Sequence, residues 1–378
     1  MNHNFVDQFS KYTPKNEPLT FWKGRVALYC FLRSLKLTDG DEVLLPGLTC
    51  VVVPNAIIYA GLVPIYIDIQ QDSYNLDPDL IESKITSRTK VLIIQNTFGL
   101  SSNIEKITAI AKKYNLITID DCTHGFGGTY NGKPNGSFTD AAFYSSQWNK
   151  PFSTVLGGYL IINNPQLKAA VVNEYQHYNQ PTIIENLKLK WLFLIRKWVI
   201  NRFTYWRLLY LYRWLSQRNL ILGSSQKEEL TQIIKPINYE KKMGAVQKKL
   251  ASQQLINFDK KLLIRKEVAF NITEWLIKNE KSYVSETHIN NHSFLKYPIR
   301  VKNRDQFFKL AEKHKIPLGD WFISPIHPIC NHYEQWHFNE DSCPNAVKAA
   351  QELVNLPTDF TDKKKLINFL NKTTQFIL

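Results

Sequence analysis

A chain of 378 residues with 44% apolar content can bury a large core, and its length favours one large and one smaller domain over a single small module. Five cysteines, an odd number without paired spacing, exclude a disulfide framework and point to a reducing compartment. The formal charge of +14 suits an anionic substrate, nucleic acid or an anionic membrane surface, and charge alone does not choose among them. The first residues have neither a basic region nor a following apolar run, so no signal peptide is expected and the cytoplasm is the expected location.

Residues 1–20 are polar, with Pro14 and Pro18, and read as an arm with little structure of its own. Over 22–37 the apolar positions Ala27, Leu28, Phe31, Leu32 and Leu35 predict a helix behind Lys23-Gly24-Arg25. A glycine at a helix start lets the backbone approach closely, and the free amides there favour an anion. Residues 42–45 and 64–68 read as short strands with a helix over 53–59 between them. Residues 77–84 and 104–113 read as helices, and 90–94 as a buried strand. This alternation predicts a mainly parallel sheet covered by helices, with Gln95-Asn96 leaving on its carboxyl rim.

The stretch 116–158 carries the chemistry. Residues 116–119 form a run short enough for a buried strand and deliver Asp120-Asp121-Cys122-Thr123-His124-Gly125 at its carboxyl end, where open α/β sheets bind ligands. A second run, 141–144, leads into Ser145-Ser146-Gln147-Trp148-Asn149-Lys150, with Gly157-Gly158 beyond. One lysine past a strand, a hydroxyl five residues earlier and an acid on another strand are the parts that hold pyridoxal phosphate. The amine bonds to the aldehyde carbon, the acid faces the pyridinium nitrogen and the hydroxyl takes the phosphate. Lys23, Lys90 and Lys112-Lys113 read instead as solvated starts or ends. Asp120 and Asp121 compete for the place of the acid, because alternation along a strand points them in opposite directions. Scattered histidines and the lack of a Cys-x-x-Cys pair give no zinc site, and the glycine-rich nucleotide loops are absent.

Taken in order with Gly24-Arg25-Val26-Ala27-Leu28, Gly40-Asp41-Glu42-Val43-Leu44-Leu45-Pro46, Met243-Gly244-Ala245-Val246-Gln247, Arg265, Cys343-Pro344 and Val354-Asn355-Leu356-Pro357-Thr358, these pieces resemble the DegT/DnrJ/EryC1/StrS group of pyridoxal-phosphate-dependent nucleotide-sugar aminotransferases. The resemblance implies a fold-type I α/β transferase: a large domain whose mainly parallel sheet is sandwiched by helices, and a smaller C-terminal α+β domain. The implied division is an arm at 1–20, a cofactor-binding domain at 21–182, an insertion at 183–221, a connector at 222–240 and the small domain at 241–378. The resemblance assigns Lys150 as the catalytic amine and Asp121, rather than Asp120, as the partner of the ring nitrogen. It places His124 on the ring face or at its O3′ and phosphate side, Ser145 with Gly24 and Arg25 at the phosphate, and Asn96 near the cofactor oxygens or the substrate. The family often has an aromatic where Cys50 stands; Cys50 cannot stack, so ring packing is expected to rest more on His124. Also implied are glutamate as amino donor, a nucleotide-linked keto-hexose as acceptor, and a homodimer that shares its sites. Relatives that are dehydratases carry histidine in place of the lysine, and Lys150 argues against that branch. The alternative is a non-catalytic regulator or sugar-binding protein on the same scaffold.

The insertion is where the chain departs from the family. Between Leu187 and Asn219 there are eight basic residues and no acid, interleaved with Trp191, Trp198, Trp206, Trp214 and further aromatics. Basic residues interrupt every apolar run, so no transmembrane helix is expected. Three readings stay open: peripheral contact with the inner face of a membrane or with a lipid-linked sugar, burial in a dimer or against the small domain, and polyanion binding. Nucleic acid is not an expected partner, since no presenting element is identifiable. Farther on, 247–262, 268–277, 304–313 and 346–353 read as helices and 294–299 as a strand.

Overall fold

The computed structural model describes residues 3–199, 204, 227–284 and 289–378. The chain opens with helix α1 (His3–Phe9), where the polar composition predicts little structure. Its Phe5 and Phe9, with Tyr12, are buried in an aromatic cluster with Phe126, Tyr144, Phe152, Tyr159 and Phe258. The rings of Phe9 and Tyr159 lie 4.8 Å apart. Three aromatics in a polar arm supply enough apolar area to dock it, although their spacing forms no periodic stripe.

The chain continues as β1 (Leu19–Phe21), α2 (Gly24–Ser34), β2 (Glu42–Pro46), β3 (Thr49–Cys50), α3 (Val52–Tyr59), β4 (Val63–Ile67), β5 (Thr89–Gln95), α4 (Ile104–Lys113), β6 (Ile117–Asp121), the hairpin β7 (Thr129–Tyr130) and β8 (Lys133–Pro134), β9 (Ala141–Ser145), β10 (Gly158–Ile162), α5 (Pro165–Gln176) and α6 (Ile183–Val199). Seven strands form one sheet in the order β1-β10-β9-β6-β5-β2-β4. From β9 to β4 all neighbours are parallel, and β10 and β1 add an antiparallel edge. Strand β5 shows why its sequence is apolar throughout: Val91 and Ile93 join the cluster under α2 and α3, while Leu92 and Ile94 join Ile104 and Ile107 of α4 on the other face.

Farther along the chain the helices Phe258–Lys278, Arg304–Lys313, Pro344–Glu352 and Lys363–Thr373 accompany a two-stranded sheet. In chain order the strands of this part are β11 (Tyr297–Arg300), β12 (Ile326–His327) and β13 (Leu353–Leu356). Strands β11 and β13 pair with each other, whereas β12 pairs in parallel with β3 and carries residues from late in the chain to the rim of the seven-stranded sheet.

Several local expectations shift. Residues 77–84 form two 3-10 turns, Pro78–Leu80 and Glu82–Lys84, in place of a helix. The strand expected from 294 begins at Tyr297, because Phe294 has a left-handed φ of +47°. Residues 243–255 pack toward the start of the chain: Met243 N–H donates to the Thr20 carbonyl, and Met243, Ala251 and Leu255 enter the aromatic cluster of α1. Within the connector, Glu229 is buried and paired with Arg25. Of the insertion, α6 and Thr204 are described; the remainder of that expectation, 200–203 and 205–221, lies outside the described residues.

Candidate active site

The parallel register sets the site. Gln95 at the end of β5 stands opposite Asp121 at the end of β6, and Asp121 opposite Phe143 of β9, so Asn96, Asp121 and Ser145 leave the sheet on one rim. Lys150 lies on the loop between β9 and β10. Ser146 N–H donates to the Gly157 carbonyl at 3.0 Å, Thr154 N–H to the Ser146 carbonyl at 2.8 Å, and the Ser146 and Thr154 hydroxyls are 2.6 Å apart. From outside the loop, Arg265 Nη2 donates to the Pro151 carbonyl at 3.0 Å and Gln247 Nε2 to the Leu156 carbonyl at 2.6 Å. Asn149 takes φ +65° immediately before the lysine, a conformation asparagine tolerates better than most residues.

Lys150 is half-buried, and loss of hydration lowers its pKa from the ordinary lysine value; Asp121 and Cys50 oppose the shift and Arg25 adds to it. The two carboxylates of β6 divide their tasks. Asp120 is fully engaged, accepting from Asn96 Nδ2 at 2.7 Å and from Gly136 N–H at 2.8 Å, and burial raises its pKa to about 7. Asp121 accepts from Thr123 N–H at 2.9 Å and couples electrostatically to Lys150; burial raises its pKa against those two opposing effects.

His124 is buried, and desolvation, with Lys150 second, holds its pKa well below the usual histidine range, so the ring is neutral. Its Nδ1 accepts from Phe98 N–H at 3.3 Å, which leaves the proton on Nε2. The imidazole stacks on Trp321, with ring centroids 4.6 Å apart and planes within 7°, and Lys150 Nζ lies 4.8 Å from the same indole. Trp321 comes from the loop that precedes β12. His327 arrives beside it through the pairing of β12 with β3, opposite Cys50, and burial holds its pKa below the ordinary value. The sole sequence signal for these two residues is an aromatic and a histidine in a proline-rich loop.

At the other side of the rim α2 begins. Gly24 abuts β9: a Cβ there would lie 2.9 Å from Ser145 Cβ and 3.3 Å from the Tyr144 carbonyl oxygen. The first turn of α2 carries no acid and no side-chain cap, and its start lies against the Ser145 side chain, whose hydroxyl donates to the Gly157 carbonyl at 3.3 Å. The Arg25 side chain turns away from this role, forming a buried ion pair with Glu229 at 2.7 Å. Lys23 is not a solvated start. It is half-buried, and desolvation together with Arg25 lowers its pKa to about 8. The structure thus brings Lys150, Asp121, His124, Cys50, Ser145 and Gly24 to one rim, while the Asn96 amide is spent on Asp120 and, through Oδ1, on Ser102 N–H.

Residues 1–180 and 216–365 match the sequence profile of the DegT/DnrJ/EryC1/StrS aminotransferase family. The chain is 35% identical over 168 residues to the GDP-perosamine synthase of Escherichia coli O157:H7, covering 43% of this chain and 46% of that one. It is 35% identical over 184 residues to the dTDP-3-amino-3,6-dideoxy-alpha-D-galactopyranose transaminase of Aneurinibacillus thermoaerophilus, covering 49% of this chain and 51% of the other. The chain therefore spans about half the length of these curated relatives. Its fold is shared with ntda from Bacillus subtilis with bound cofactor PMP, at a TM-score of 0.72 and 19% identity, over 98% of this chain and 77% of that chain. With the profile matching on both sides of the insertion, the chain belongs to the DegT/DnrJ/EryC1/StrS aminotransferase family.

Proposed function

We propose that the protein is a pyridoxal-phosphate-dependent aminotransferase that moves an amino group from glutamate to a nucleotide-linked keto-hexose, working as a homodimer. The observation that carries the reading is the Lys150 amine held on the carboxyl rim of the sheet, coupled to Asp121 and facing the ring of Trp321. The donor set fits the cofactor: an amine, a buried acid, a hydroxyl beside a helix start, and a glycine whose Cβ would close the space against Ser145. The names of the relatives, which act on GDP- and dTDP-linked sugars, support the substrate class.

When bound, pyridoxal phosphate supplies an electron-withdrawing ring that carries the amino group between donor and acceptor. Lys150, with its pKa lowered by desolvation, offers a larger neutral fraction at working pH, as needed for bond formation and for moving a proton at the substrate carbon. Asp121 is poised to hold a cationic ring nitrogen, since a positive partner offsets the burial that raises its pKa. The amides of Gly24 and Arg25 and the Ser145 hydroxyl orient a phosphate. The neutral His124 offers a flat face and an Nε2–H donor, and Asn96 fixes β6 through Asp120.

The test is amino transfer from glutamate to a panel of GDP-, dTDP- and UDP-linked keto-sugars, read as 2-oxoglutarate formed. Cofactor-loaded, folded protein that yields none with any acceptor would overturn the assignment. Concentration-dependent mass measurement alongside activity tests the dimer, and a fully active monomer would reject it.

A further inference from the structure

Helix α6 falls in the part of the chain that the family profile skips, 181–215, so the chemistry shared with the relatives does not account for it. One face is fastened to the body. Leu189 is buried, Glu185 pairs with Lys241, the helix packs on Ala245–Leu255, and the Arg196 guanidinium lies 4.3 Å from the ring of Trp148, two residues before Lys150. The other face is apolar and open. Ile183 is 80% exposed, Ile184 65%, Leu187 50%, Trp191 65% and Ile195 50%. At about 100° per residue these five positions occupy an arc of roughly 120°, with the exposed Lys188 on one flank and Lys190 on the other.

We infer that α6 lies in the headgroup layer of an anionic lipid surface, with Ile184, Leu187, Trp191 and Ile195 in the acyl boundary and Lys188 and Lys190 among the phosphates. An apolar stripe flanked by lysines is the pattern of a helix held in the plane of an interface. No described helix is long and apolar enough to cross a membrane. Charge selects the occupant. The chain carries +14 overall, and from Leu187 to Val199 α6 carries Lys188, Lys190, Arg196 and Lys197 without an acid, so a second copy apposed along this helix would set like charge against like. An anionic surface attracts each of those cations.

The full-length protein is floated with vesicles of phosphatidylglycerol and phosphatidylcholine, and with vesicles of phosphatidylcholine alone, at 50 mM and 500 mM salt. The expected result is recovery with the anionic vesicles at low salt, at least tenfold above the neutral ones, and reduced by high salt. Two variants accompany it: Leu187→Ser/Trp191→Ser/Ile195→Ser, and Lys188→Glu/Lys190→Glu. Each is expected to lose flotation at least tenfold while keeping its circular dichroism and mass in solution. Failure of the unaltered protein to float with anionic vesicles at low salt overturns the inference. So does equal flotation of the triple serine variant, or a triple variant whose sole change is a smaller assembly, which would make the face a contact between copies.

Discussion

Replacing Gly158 by alanine tests whether the phosphate side of the site depends on one backbone contact. A Cβ on Gly158 would lie 2.3 Å from the Lys23 carbonyl oxygen, 2.5 Å from its carbon and 2.7 Å from Gly24 N. Ordinary contact needs about 3.5 Å, so the shortfall is roughly 1 Å. The obstructing atoms are main chain, held by the pairing of Phe21 with Gly158, and no rotamer change relieves them. Overpacking of this kind costs about 1–3 kcal/mol, and a backbone that must move puts Gly158→Ala toward the upper figure. At about 2 °C per kcal/mol for a chain of this size, the melting temperature falls by roughly 4–6 °C. Displacing the Lys23–Gly24 peptide also moves the first amides of α2 away from Ser145. If about 1.4–2.8 kcal/mol of the strain is expressed there, the Kd for pyridoxal phosphate rises about 10- to 100-fold. Cofactor titration by absorbance, with melting curves on the same samples, measures both. Gly40→Ala is the control: nothing lies within 4 Å of the added Cβ, and its φ of +89° predicts a cost of about 1–2 kcal/mol without loss of cofactor affinity. A folded Gly158→Ala protein with unaltered Kd would refute the reasoning.

Asn96→Ala removes a 2.7 Å hydrogen bond to the buried Asp120 and is expected to cost about 1.5–3 kcal/mol; an unchanged urea midpoint would deny Asn96 its bracing role. Arg265→Met leaves the Pro151 carbonyl without its donor beside Lys150, so kcat should fall about 10- to 100-fold while the KM for the sugar changes little, and the reverse pattern would place Arg265 at the substrate instead. The Lys23 pKa is about 8 in the folded chain, below the ordinary lysine value of 10.5, so from pH 8 upward to 10.5 the unfolded chain holds more protons and stability rises with pH. Lys23→Met is expected to flatten that rise, and superimposable stability profiles for the two proteins would contradict the burial of its charge.

The residues most legible in the sequence are those one or two positions past an apolar strand. Asp121 and Ser145 end β6 and β9, and parallel pairing brings such ends together whatever the loops do. Lys150 was legible through its spacing from Ser145. His327 was not, because it reaches the rim through β12 and β3, strands of two residues each that leave no periodic trace, and Trp321 stands in the loop just before β12. Glu229 was hidden for a similar reason: its partner Arg25 is 204 positions away, and an acid beside Glu228 in a polar connector gives no sign of burial. The misreading of Lys23 has the same origin, since a lysine at a helix start is ordinarily solvated and here the neighbouring Arg25 and the rim enclose it. Asn96 illustrates a subtler limit: its place on the rim could be read, whereas the direction of its amide depends on the cross-strand carboxylate of Asp120.

The most direct test of the central claim is to saturate the protein with pyridoxal phosphate, reduce with borohydride and map the modified peptide by mass. Cofactor mass on the peptide containing Lys150, and its loss in Lys150→Ala while the variant remains folded, is the predicted result. Attachment at another lysine such as Lys23, or none at saturation, would contradict the account.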